Sequence, residues 1–154
     1  MHATRSDFEL RADCEKLADI FTHLQRCFLI NLSKELGRGN VSFPQYFLLG
    51  FLGQQKYLTM SEIAAKMGHT TAAATGLVDR LENLGYAKRT HASDDRRKIK
   101  VHITPAGASL VAKVRDDMVG NLSKLMRQLS ADEQKAWVQI YDKIFAFIQN
   151  QHSQ

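Results

Sequence analysis

Long apolar runs are missing from this 154-residue chain. No stretch approaches the ~20 apolar residues that a membrane helix needs, so no membrane partner is expected. The first seven residues hold no charged segment followed by a long apolar one, which argues against a secretory signal. Cysteine is scarce, with only Cys14 and Cys27. They fall thirteen residues apart in what reads as one helix. A rise of 1.5 Å per residue separates them by about 20 Å, on faces offset by about 220°. They cannot form a disulfide within that helix, and a reducing, cytoplasmic compartment fits. The simplest reading makes both small apolar core residues. The six histidines include no pair four residues apart, and there is no Cys-x-x-Cys, so no metal site is expected. A phosphate-binding glycine loop, a dinucleotide glycine pattern and a nucleophile elbow are also lacking. The sequence therefore points away from an enzyme and away from a cofactor.

What is present is an ordinary globular composition, 44% hydrophobic and 24% charged, with a net charge of +5. One domain, or one with long appended helices, suits this length. Residues 8–36 read as a long helix. Leu10, Cys14, Leu17, Phe21, Leu24 and Phe28 recur at alternating spacings of four and three, a heptad seam suited to another helix. Gly37-Arg38-Gly39-Asn40 stops it. Ser42-Phe43-Pro44-Gln45 opens a second helix with a capping pattern. Thr59-Met60-Ser61-Glu62 is another such pattern and starts a short helix that Gly68 ends. After His69-Thr70-Thr71, a further helix runs from Ala72 to Leu84, with Gly85 just beyond.

The period then changes. Residues 86–91 read as a strand and 92–98 as a polar loop. Ile99, Val101 and Ile103 alternate with polar neighbours in a second strand. Thr104-Pro105 starts a helix reaching about Leu129, and Ser130-Ala131-Asp132-Glu133 caps a last one. A polar tail covers 149–154.

Short helix, tight turn, helix, strand, charged loop, strand is the order of a helix-turn-helix with a wing. In that arrangement the second helix offers its N-terminal residues to a DNA major groove. Residues 80–100 carry seven cations (Arg80, Lys88, Arg89, Arg96, Arg97, Lys98 and Lys100) against Glu82, Asp94 and Asp95. This is the electrostatic footprint expected of a phosphate-binding surface.

Several segments resemble the MarR family of bacterial transcription regulators. They are Ser61–Gly68, Thr75–Tyr86, Asp94-Asp95-Arg96-Arg97 and Ile103–Gly107. The resemblance implies a mainly α fold with a small β-hairpin wing, a winged helix-turn-helix flanked by long dimerisation helices. Residues 1–36 and 105–154 would intertwine two copies as a homodimer, and 41–104 would form the DNA-binding region. The apolar stripes could equally serve packing within one chain. The implied function is a regulator, commonly a repressor, of a pseudo-palindromic operator in double-stranded DNA. Thr70 and Thr71 would begin the recognition helix and bind phosphate. Ala73, Thr75 and Gly76 would lie near base edges, with Arg80 either on a phosphate or paired near Glu82. Between Thr70 and Asp79 there is no Arg, Asn or Gln, so direct hydrogen-bonded readout from the helix start is scarce. Thymine methyl contacts, DNA shape and the wing would carry specificity. In the wing, Asp95 would orient Arg97 into the minor groove, and Arg96 and Lys98 would contact phosphates.

The resemblance also implies control by a small aromatic or phenolic ligand, for which His23, Phe28, Phe43, Tyr46 and Phe47 are candidates. These aromatics could instead be plain core. Two alternatives stand beside this reading. One is a thiol-based oxidant sensor using Cys14. The other is a winged helix that binds protein without specific DNA contact.

Overall fold

A computed structural model describes residues 7–91 and 98–151. Helix α1 (Asp7–Arg38) is followed by α2 (Phe43–Gly53), strand β1 (Leu58–Thr59), α3 (Met60–Met67) and α4 (Thr71–Asn83). Strands β2 (Ala87–His91) and β3 (Ile99–Ile103) then precede α5 (Pro105–Met126) and α6 (Ala131–Gln151). The chain divides into two compact units, Met1–Val114 and Arg115–Gln154. No helix among the described residues is long and apolar enough to cross a membrane.

In the first unit, the core forms where α2, α3, α4 and a small sheet meet. Leu48, Leu49 and Leu52 of α2 pack with Ile63 and Ala64 of α3. Ala74, Val78 and Leu81 join them from α4, at the 4–3 spacing that puts three side chains on one helix face. A smaller cluster gathers Leu32 and Leu36 of α1 with Val114 of α5, and Phe43, Tyr46 and Leu110 pack against it.

The sheet has three strands, in the order β1-β3-β2, all antiparallel. The expected hairpin is there, with Ala87 opposite Ile103 and His91 opposite Ile99. The third strand was not foreseen. Leu58 and Thr59 pair with Val101 and Lys100, and a two-residue strand is too short to leave a periodic signal. His102 helps hold this edge: its Nδ1 lies 3.0 Å from the Lys56 carbonyl oxygen and its Nε2 lies 2.8 Å from Thr90 Oγ1.

Helix ends follow the capping chemistry. Gln45 Oε1 accepts from the Ser42 N–H at 2.8 Å. The Glu62 and Glu133 carboxylates accept from the Thr59 and Ser130 N–H groups at 2.7 and 2.8 Å. These bonds to the charged form hold both carboxyls below the usual glutamate range. Two details differ from expectation. Helix α1 continues through Gly37 to Arg38, and the left-handed turn after it belongs to Asn40 (φ 53°) rather than a glycine. Asparagine is one of the few residues that tolerates that conformation. Helix α6 runs on to Gln151, into the stretch expected as a polar tail.

The second unit is the end of α5 and all of α6. The Gln134 side-chain amide donates to the Met126 and Leu129 carbonyl oxygens, satisfying the C-terminal end of α5.

Candidate nucleic-acid interface

Gly68 closes α3 at φ 63°, and the His69 N–H reaches back to the Ala64 carbonyl at 3.0 Å. This left-handed stop turns the chain within three residues. Thr70 then caps α4, its hydroxyl accepting from the Ala73 N–H at 3.3 Å. With Ala74, Val78 and Leu81 buried, the opposite side of α4 exposes Thr71, Ala72, Ala73, Thr75, Gly76, Asp79 and Arg80. Thr70, Thr71, Ala73, Thr75 and Gly76 therefore share one solvent-facing helix start, with Arg80 exposed in the last turn of the same helix. The Thr75 hydroxyl donates to the Thr71 carbonyl at 2.8 Å, so its proton is spent inside the helix. A Cβ added at Gly76 would meet nothing within 4 Å. Arg80 makes no ion pair with a described residue and borders a shallow depression of about 350 Å³ beside Ser42 and Gln45, at the start of α2. The pairing of Arg80 near Glu82 is not seen, because the Glu82 carboxylate is held elsewhere.

Arg89 holds it. Its Nη1 lies 2.6 Å from Glu82 Oε2, and its Nη2 lies 2.6 Å from Asp79 Oδ1. Its own N–H donates to Glu82 Oε1 at 3.0 Å, and Nη2 also reaches the Thr75 carbonyl at 3.5 Å. Burial alone would lower the Arg89 pKa. The hydrogen bonds to Asp79 and Glu82, with their charge, outweigh it and raise the pKa above the ordinary arginine value. The count of basic residues treated Arg89 as part of the phosphate-facing surface. The structure corrects that: its side chain is only 22% exposed and is neutralised by two carboxylates. Strand alternation explains the split, since Ala87 and Arg89 face α4 while Lys88 and Thr90 face solvent. Lys98 is exposed. Lys100 lies with its Nζ 4.4 Å from the centre of the Tyr57 ring. Asp95, Arg96 and Arg97 lie outside the described residues.

The hairpin and α4 meet α5 at a tight joint. The Thr104 hydroxyl donates to the Gly85 carbonyl at 2.6 Å and accepts from the Gly107 N–H at 3.2 Å. The Thr104 N–H donates to the Tyr86 carbonyl at 3.0 Å. A Cβ at Gly107 would collide with that same Tyr86 oxygen.

The ligand candidates are gathered only in part. Phe43 and Tyr46 pack on the same small cluster, and the Phe47 ring lies 6.0 Å from that of Tyr46. Of the five, only Phe43 borders an open groove of about 690 Å³ along α1, with Arg26, Leu29, Ile30 and Lys34 among its walls. Phe47, His23 and Phe28 are exposed. Helical spacing could not reveal Arg26 and Lys34 as wall residues, because the groove depends on how α2 meets α1. Cys14 and Cys27 are both exposed in the single chain, which corrects the core reading. The apolar seam residues Leu10, Leu17, Phe21, Leu24 and Phe28 are exposed as well. Arg11, near Cys14, pairs with Glu15 at 3.1 Å. Among the described residues no group of His, Cys, Asp or Glu could hold a metal ion.

Comparison with known proteins agrees with this geometry. The profile of the MarR family matches residues 40–98. The chain is 34% identical over 97 residues to the uncharacterised regulator YfiV of Bacillus subtilis, covering 63% of this chain and 61% of that one. That match spans under two thirds of the length of YfiV. It is 30% identical over 120 residues to the transcriptional regulator PrsX of Escherichia coli, covering 77% and 72%. The structure of an S. aureus MepR mutant bound to an oligodeoxyribonucleotide superposes with a TM-score of 0.69 at 22% identity, covering 86% and 97%. With its helix-turn-helix, its wing strands and these relatives, the chain belongs to the MarR family of transcriptional regulators, a family of regulators and not of enzymes.

Proposed function

We propose that this protein is a cytoplasmic DNA-binding repressor. It acts as a homodimer on a pseudo-palindromic operator and is released by a small ligand. The observation that carries the reading is the exposed, small-residue face of α4 standing directly beside a hairpin rich in Lys and Arg. A helix start of this kind can enter a major groove, while basic residues on the wing reach the backbone and minor groove. A protein of the same fold, the MepR mutant, is bound to an oligodeoxyribonucleotide, which supports DNA as the partner here.

Thr70 and Thr71 meet phosphate, and Ala73, Thr75 and Gly76 approach base edges. Arg80, Arg96 and Lys98 contact the backbone, and Asp95 orients Arg97 into the minor groove. The dimer reading rests on the apolar residues that α1 and α6 leave uncovered in one chain. The ligand reading rests on the groove beside Phe43. Its apolar walls between Arg26 and Lys34 favour an aromatic compound carrying negative charge.

The test is fluorescence anisotropy on the duplex upstream of the protein's own coding sequence, with salt titration and random-sequence competitor. Competitor-resistant binding with a steep negative salt slope is expected. Arg97→Ala should lose at least tenfold in affinity while remaining a dimer. Salt-insensitive binding, or none to any duplex in a selected library, would instead favour a protein-binding winged helix.

A further inference from the structure

We infer that Arg89 is a positioning residue for sequence selection: it clasps the wing to the recognition helix and does not itself bind DNA. This role rests on the DNA-binding reading above. Asp79 and Glu82 stand three residues apart on α4, hence on one side of the helix. Two carboxylates beside a surface that approaches phosphates would repel them unless neutralised. Arg89 pairs with both, with contacts of 2.6 Å to each, and offsets one of the two charges. Its backbone N–H adds a third bond, to Glu82 Oε1 at 3.0 Å, and Nη2 reaches the Thr75 carbonyl in the exposed part of α4. One residue thus ties β2 to α4 across about two turns of helix.

The planar guanidinium suits this task. Its fork can bond two carboxylates at once in fixed directions, which a lysine ammonium on a flexible stem does not do. With most of the Arg89 side chain covered and its charge balanced twice over, it has little to offer a phosphate. What it controls is the angle between the two parts that touch DNA. Binding to an operator needs the helix and the wing in register together. Binding to random DNA, dominated by phosphate contacts, tolerates either alone.

The test compares Arg89→Ala, Arg89→Lys and the double variant Asp79→Asn/Glu82→Gln. Each is titrated with a duplex that the wild type selects from a random library and with a scrambled duplex, across a salt series. Arg89→Ala should lose at least tenfold more on the selected duplex than on the scrambled one, which weakens only modestly as Asp79 and Glu82 lose their counter-charge, with the salt slope unchanged. Arg89→Lys should not restore selectivity, although it keeps the charge. The double variant removes two negative charges and should bind scrambled DNA more tightly, yet its selectivity should fall tenfold. A phosphate-binding Arg89 would behave oppositely. Its removal would flatten the salt slope by about 0.9 and weaken both duplexes equally, and its release by the double variant would strengthen the selected duplex without loss of selectivity. Either pattern overturns the clasp, as does wild-type selectivity in both Arg89→Ala and the double variant. A wild type that selects no duplex overturns the DNA-binding reading itself, and this role with it.

Discussion

Gly76 costs α4 stability without a packing return. Glycine in a helix interior is less favourable than alanine by about 1 kcal/mol, and here a Cβ would meet open space. The vacant side-chain position faces solvent on the same exposed side as Ala73 and Thr75. Gly76→Ala should therefore move two quantities in opposite directions. Chemical denaturation should show about 0.5–1 kcal/mol of added stability, while anisotropy should show weaker operator binding, because in the proposed interface a methyl would stand where a base edge approaches. Stabilisation with unchanged affinity would remove Gly76 from the interface. The residue is visible in the sequence, but its lack of intrachain neighbours is not. Arg89 teaches the converse: it counted as one more cation in the sequence, and only the fold brought Asp79 and Glu82 to it.

At the scale of elements, the start of α5 depends on how closely it approaches the turn between α4 and β2. Thr104 and Pro105 were legible as a cap and a first helical residue. Gly107 was legible only as part of a family resemblance. The structure supplies the physical reason, the Tyr86 carbonyl oxygen lying where a Cβ would be. Gly107→Ala should cost about 1–3 kcal/mol through overpacking, measured by denaturant unfolding. It should loosen the wing, whose second strand ends just before this helix. A neutral result would mean that α5 shifts freely against the turn. Strand β1 went unread because two residues carry no period. It is also what gives β3 a partner on each side.

For the whole molecule, the decisive observation is how much apolar side chain stays exposed in one chain. On α1, Leu17, Phe21, Leu24 and Phe28 are 46–63% exposed. Helix α6 buries none of its residues, although it carries Ile140, Tyr141, Ile144, Phe145 and Ile148. Monomeric proteins rarely leave so much apolar side chain uncovered along a helix. A second copy of the chain would cover it and would also supply the second half-site reader that a pseudo-palindromic operator requires. Sedimentation should give the mass of two chains for the wild type. Phe28→Glu, by burying a charge in that seam, should give one chain and lose operator binding together. A wild type that sediments as one chain would dismiss the dimer.

The sequence by itself determined the order of the helices, the capped helix-turn-helix, the paired wing strands and the family. These are local properties, written in spacings of two, three and four residues and in turn chemistry that acts within a few residues of itself. Tertiary structure alone decided which charges are free and which are spent, where a glycine is required by a neighbour's carbonyl, and which aromatic reaches the groove. Those depend on residues distant in the chain being brought within a few ångströms, and no local pattern encodes that distance.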